Sequence, residues 1–240
     1  ARMVQVVRME ESPFDQLDTE EQGFLPSVVR SEEEEPAPDL PAAARFEGDP
    51  GVEETLQAQL TPGTGSLETP AQPDTTALPE YIPDRIVIPD IALDAPVIEA
   101  TTRQIEYLDE SFEQWLAPDE FAAGWHMTSA PLGVPGNTVI NGHHNVHGEV
   151  FRYLEDLELG DRIWVYSGSR VFLYQIAARE ILKERWQPVE VRFENARWLQ
   201  TSDDERLTLV TCWPYESNTH RLIIAARPVR SYEVQERDLD

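Results

Sequence analysis

Cysteine is nearly absent from this 240-residue chain: Cys212 is the only one. A single thiol cannot close an internal disulfide, so a disulfide scaffold is excluded and the sulfur serves either packing or reactivity. Bases are scarce as well, with 19 Lys and Arg against 45 Asp and Glu and a net charge of −26. Phosphate neutralisation needs basic surface, so no nucleic acid is expected as a partner, and direct docking on an anionic membrane is disfavoured for the same reason. No stretch reaches the roughly 20 consecutive apolar residues of a spanning helix, and no signal-peptide pattern is present. The chain opens on Ala1 rather than Met, which reads as a processed end and leaves room for an anchor upstream.

What is present divides into two textures. Residues 1–80 hold 10 of the 19 prolines and 18 acids against 4 bases, and include Glu32–Pro36 and Thr61–Gly65. Such a segment buries too little apolar surface to offset its ordering entropy, so it is read as an acidic, Pro-rich, mostly disordered spacer. A short helix near Met3–Gln22 is the one exception considered. Residues 81–230 are read as a catalytic domain and 231–240 as a C-terminal tail.

Within the domain, Arg85–Pro89 and Leu93–Ile98 read as two short strands joined by a Pro-Asp turn. Ile105–Trp115 reads as a helix or an irregular crossover. Asn137–Asn141 is a strand that ends in Gly142. Val150, Phe151, Leu154 and Leu157 share a face at helical spacing, which predicts a helix over Glu149–Leu157, closed by Gly160. Arg162–Tyr166 and Val171–Leu182 flank a Ser-Gly-Ser turn and form a hairpin. Leu207–Cys212 and Arg221–Pro228 complete the set. Many short strands and few helices predict an all-β fold with a closed or nearly closed barrel.

The lone thiol ends the run Leu207-Thr208-Leu209-Val210-Thr211-Cys212, and Arg221 opens the next strand nine residues later. A strand end presenting sulfur, followed by a turn and a permanent cation, suits a nucleophile beside an oxyanion partner. A cysteine nucleophile needs a proton-handling group, usually histidine. Of His126, His143, His144, His147 and His220, His143 directly follows a strand and the pliant Gly142, so a rigid element aims it. His220 alternates with Arg221 across the pleat and points away from it. His144 and His147 are read as surface histidines. His143, His144, His147 and Glu149 also form a cluster that Cys212 could join as a metal ligand. That loop lacks the fixed spacing of zinc sites, so no metal is expected.

From about Pro79 to Val229 the chain resembles the sortases, cysteine transpeptidases that attach proteins to bacterial cell walls or build pili. The resemblance rests on five segments in order: Ile86-Val87-Ile88-Pro89 with Leu93–Val97; Ala123-Gly124-Trp125-His126; Pro135–His143; Phe151-x-x-Leu154-x-x-Leu157-x-x-Gly160-Asp161; and Thr208–Cys212. It implies an eight-stranded sortase-type β-barrel, with Cys212 as nucleophile, His143 as general acid and base, and Arg221 as the cation at the oxyanion. Thr211, Trp213 and Asn141 are implied on the substrate side. The short gap from Cys212 to Arg221, holding Trp213-Pro214-Tyr215 and Asn218-Thr219-His220, is closer to the pilus-type and sporulation-type branches than to the housekeeping branch. The implied partners are an LPXTG-like sorting-signal peptide and an amine acceptor, either a cell-wall precursor or a pilin. A monomer is expected, extracytoplasmic at the cell surface, with a membrane anchor outside this sequence. Because some sortases use acidic loop residues as calcium ligands, Glu190–Glu194 is the loop considered for calcium.

Two other classes compete with this reading. One is a Cys/His peptidase or peptidoglycan transpeptidase of another fold, where a Gly typically precedes the Cys; here Thr211 stands there. The other is a catalytically silent barrel that binds peptides.

Overall fold

The computed structural model describes residues 23–27, 36–41, 80–107 and 110–233. Its strands are β1 (Gly23–Ser27), β2 (Arg85–Ile88), β3 (Leu93–Glu99), β4 (Thr101–Tyr107), β5 (Glu110–Leu116), β6 (Ala123–Trp125), β7 (Gly136–Asn141), β8 (Arg162–Ser167), β9 (Arg170–Lys183), β10 (Glu205–Trp213) and β11 (His220–Glu233). Among the described residues one α-helix, α1 (Val189–Ala196), lies between β9 and β10. Eight strands close a barrel in the order β10-β11-β9-β8-β2-β3-β6-β7, and β1-β5-β4 form a separate three-stranded sheet.

Side chains alternate across the pleat, and the alternation sorts each barrel strand into an inner and an outer face. Ile86, Ile88, Ile140, Leu207, Leu209, Leu222 and Ile224 fill the barrel interior with Phe151, Leu154 and Leu157. On the outer face, Val139, Val210 and Ile223 meet Trp115 and Ala117, with Trp198 and Leu199 packed beside them. The outer wall near β10 is therefore apolar and covered, unlike an ordinary solvated sheet face.

Three local readings differ from the structure. The stretch read as a helix or crossover over Ile105–Trp115 belongs to the β4–β5 hairpin, whose register pairs Thr101 with Leu116 and Tyr107 with Glu110. Cross-strand side-chain bonds, Thr102 to Glu113 at 2.8 Å and Arg103 to Gln114 at 2.7 Å, fasten it and override local propensity. Over Glu149–Leu157 only the turn Leu154–Asp156 is helical, of the 3-10 type. The apolar face is right, since Val150, Phe151, Leu154 and Leu157 are all buried. Positive φ at Gly148 and Glu149, and donation of the Phe151 amide to the His143 carbonyl, leave no room for a regular first turn. Glu190–Glu194, considered as a loop, lies within α1, and Glu194 pairs with Arg197.

Two short stretches of the expected spacer are ordered. β1 pairs antiparallel with β5 and packs against α1. Residues 36–41 lie along the barrel wall, where Arg206 donates to the Pro38 carbonyl at 2.7 Å and Arg227 to the Leu40 carbonyl at 2.8 Å. Arg206 is buried and needs such an acceptor. The helix considered over Met3–Gln22 and the rest of the spacer lie outside the described residues. At the other end, β11 continues to Glu233, so part of the expected tail is strand paired with β9.

Candidate active site

Strand register brings the candidate residues together. Cys212 and Arg221 face each other directly across β10 and β11. On the other side, β10 runs parallel to β7 with Val210 opposite Asn141. β7 ends at Asn141, and past it Gly142 bonds Val210 and Thr211 while His144 bonds the Cys212 carbonyl, so the segment that carries His143 runs beside the end of β10. Paired strands thus place Cys212 beside Arg221, and the loop that follows β7 carries His143. All three are buried, at 1%, 2% and 4% exposure.

Each is held by its own neighbours. Arg221 Nη1 lies 3.5 Å from Cys212 Sγ, so a permanent cation touches the sulfur. It is a partner for negative charge there or on an adjacent oxygen. Gly142 must be glycine because a Cβ there would come within 2.6 Å of both Phe151 and Val150. That close approach fixes the point where the chain leaves β7 and aims His143. Burial, and next the charge of His147, push the His143 ring down to about 4, against opposing effects of Asp119 and a hydrogen bond to the Ala117 backbone. Near neutral pH the ring is therefore uncharged, the form that accepts a proton.

The remaining sequence candidates fall on both faces. Asn141 is fully buried on the outer face, and its carboxamide N and O lack a hydrogen-bond partner among the described residues. Trp213, expected on the substrate side, packs against the inner cluster instead, and its indole N–H donates to Glu155 at 2.7 Å. Thr211 shares that inner face, and its hydroxyl donates to the Gly142 carbonyl at 2.7 Å. Both follow from the pleat, because neighbours of an outward Cys212 must point inward. Thr211 therefore clamps the end of β10 to the end of β7. His220 sits edge-on against Trp213, on the face away from Arg221, as expected.

His144 is not a surface residue. It is fully buried and its Nδ1 hydrogen-bonds the Cys212 carbonyl at 2.6 Å, so the ring props up the backbone behind the nucleophile. Tyr215 meets its edge, while Tyr215 also donates to Glu149 and Asn145 donates to the Tyr215 carbonyl. These contacts tie the loop after β7 to the loop between β10 and β11. Glu149 is thereby committed to Tyr215 and Arg152, which divides the four-residue cluster considered as a metal site. In its place, His143 and His147 meet Asp119, a residue with no sequence signal because only the fold brings it near. The three line a cavity of about 530 Å³ together with Glu99, Leu116, Ala117 and Glu120.

The family model for the sortase domain matches residues 86–229. Sortase SrtE1 of Streptomyces coelicolor is 28% identical over 145 residues, which cover 59% of this chain and 39% of that protein. The matched region thus spans about two fifths of the curated relative's length. Among solved structures, the SrtA sortase from Actinomyces oris has a TM-score of 0.50 at 24% identity, covering 69% of this chain and 96% of its own. Sortase E1 from Streptomyces coelicolor, solved with a tripeptide in its active site, has a TM-score of 0.47 at 23% identity, covering 64% and 91%. The Actinomyces oris likeness is one of fold.

Proposed function

We propose, from the premise that this chain belongs to the sortase family of cysteine transpeptidases, that it cleaves a sorting-signal peptide and passes the acyl fragment to an amine. The observation that carries the reading is the contact of Arg221 with the Cys212 sulfur across β10 and β11, with His143 two residues past the end of the neighbouring β7. An LPXTG-like peptide that reaches the ends of β7 and β10 supplies partners for the orphaned Asn141 carboxamide. Cys212 Sγ attacks the carbonyl carbon before the scissile amide, and His143 takes the thiol proton. Arg221 stabilises the oxyanion that develops. Collapse breaks the C–N bond, His143 hands the proton to the departing amine, and a thioester remains on Cys212. An incoming amine then attacks the thioester, gives a proton back through His143, and restores the thiol.

Thr211 and His144 act here by fixing backbone, not by touching substrate. Sortases work outside the cytoplasm at the cell surface, and we place this chain there, held by an anchor beyond the sequence. Among the described residues no helix is long and apolar enough to cross a membrane. The test is product analysis from a peptide library with and without candidate amines. Mass-shifted amide products that require Cys212 support transpeptidation; cleavage unchanged in Cys212→Ala refutes it.

A further inference from the structure

We infer that Asp119, His143 and His147 bind one divalent transition-metal ion of the zinc type, and that the bound ion silences the His143 ring. One ligand atom from each residue lies within 4.8 Å of the others. His147 Nδ1 is 3.7 Å from Asp119 Oδ1, and the rings of His143 and His147 are 4.9 Å apart. Zinc bound tetrahedrally at about 2.0–2.1 Å sets its donors roughly 3.3 Å apart. The remaining gap is small, and the two outer ligands have freedom to close it: the Asp119 side chain is 87% exposed and that of His147 is 49% exposed. His143 is the fixed member, buried and hydrogen-bonded to the Ala117 backbone. Such an outer hydrogen bond commonly orients a metal-ligating imidazole.

The donor set selects the kind of ion. Two imidazoles and one carboxylate suit zinc and its neighbours, whereas calcium and magnesium prefer oxygen alone. A fourth position opens on the cavity of about 530 Å³, where Glu99 and Glu120 add negative charge and water has access. Sulfur has no part in the site. That separates it from direct capture of the Cys212 thiol, the usual way a thiophilic ion poisons a cysteine enzyme. Binding stands on geometry alone, while silencing rests on the reading of His143 as the group that moves the proton. A ring nitrogen donating its lone pair to a metal cannot accept a proton from the thiol.

The binding test uses the Cys212→Ala chain, titrated with cobalt(II) by absorption and with zinc(II) by calorimetry. One equivalent is expected, with affinity falling ~10-fold or more in the added Asp119→Asn or His147→Asn variants. Both positions are exposed, so neither change threatens folding. Absence of stoichiometric binding, or binding that both substitutions leave intact, would overturn the site. In the chain with Cys212 intact, peptide turnover is followed against zinc, each variant normalised to its own metal-free rate. Inhibition should track site filling, and His147→Asn should shift it to ~10-fold higher zinc. Inhibition that ignores His147→Asn would mean that the ion acts on the sulfur, and it would overturn silencing. Metal-free His143→Ala with full turnover would refute the proton-transfer reading while the binding result still stands.

Discussion

Cys212 and Arg221 face each other within two hydrogen-bonded strands, whereas His143 stands just past the end of its strand, in a loop tied down by side chains. On the first flank the ladder itself sets the spacing of sulfur and guanidinium. On the second, placement depends on Gly142 fitting against Phe151, on the Thr211 hydroxyl, and on the loop bonds through His144, Asn145 and Tyr215. The difference suits the chemistry. Bond formation at sulfur needs one fixed geometry, while a proton carrier must serve a thiol, a leaving amine and an incoming amine in turn.

Breaking the strand flank should cost most. Cys212→Ala is expected to abolish peptide cleavage and thioester trapping, and any turnover left in a peptide assay counts against the nucleophile. Arg221→Lys keeps the charge but loses the planar fork, so kcat should fall by roughly 10²–10³ with KM little changed. Near-wild-type kcat would reduce Arg221 to a packing or pairing role.

Smaller effects should follow on the loop flank. Gly142→Ala drives a Cβ to 2.6 Å from Phe151 and displaces His143, so turnover should drop ~10²-fold, in line with a misplacement of about 1 Å. Thr211→Val leaves the Gly142 carbonyl without its donor and should cost about 1–3 kcal/mol of stability by denaturant melt, with a milder loss of rate. Asn141→Ala removes a carboxamide that has no partner in the described structure, so KM should rise while stability holds. A stability loss with unchanged KM would make Asn141 purely structural.

A last prediction concerns the covering hairpin. His126 stacks on Trp115, with ring centroids 4.5 Å apart, and burial holds it down to about 3. Between that value and the roughly 6.5 of the unfolded chain, the unfolded state binds the extra proton. Stability from this group is therefore complete above about pH 6.5 and declines as pH falls toward 3. His126→Phe keeps the stack and should spare the protein about 2–3 kcal/mol of that loss near pH 4.5, read from melts at both pH values. Equal acid sensitivity in the two chains would argue against a buried neutral ring.

The same contrast governs what could be read from the sequence. Cys212, Arg221 and His143 were legible because strand ends and residue types announce them, and the barrel strands followed from alternation and turns. The hairpin over β4 and β5 was not, since its pairing rests on cross-strand bonds such as Thr102 to Glu113. The helical spacing of Val150, Phe151, Leu154 and Leu157 correctly marked an inward face, but interior packing supplied that pattern without a regular helix. His144 looked like a solvated loop histidine and is a buried prop under the nucleophile strand. Asp119 carried no local mark, because only tertiary structure brings it to His147.

The most direct test of the account is intact-protein mass spectrometry after mixing the chain with a sorting-signal peptide, before and after adding an amine. A single acyl adduct on Cys212, lost on amine addition as a new amide product forms, is expected. A cleaved peptide with no adduct on Cys212, or an identical pattern from Cys212→Ala, would contradict it.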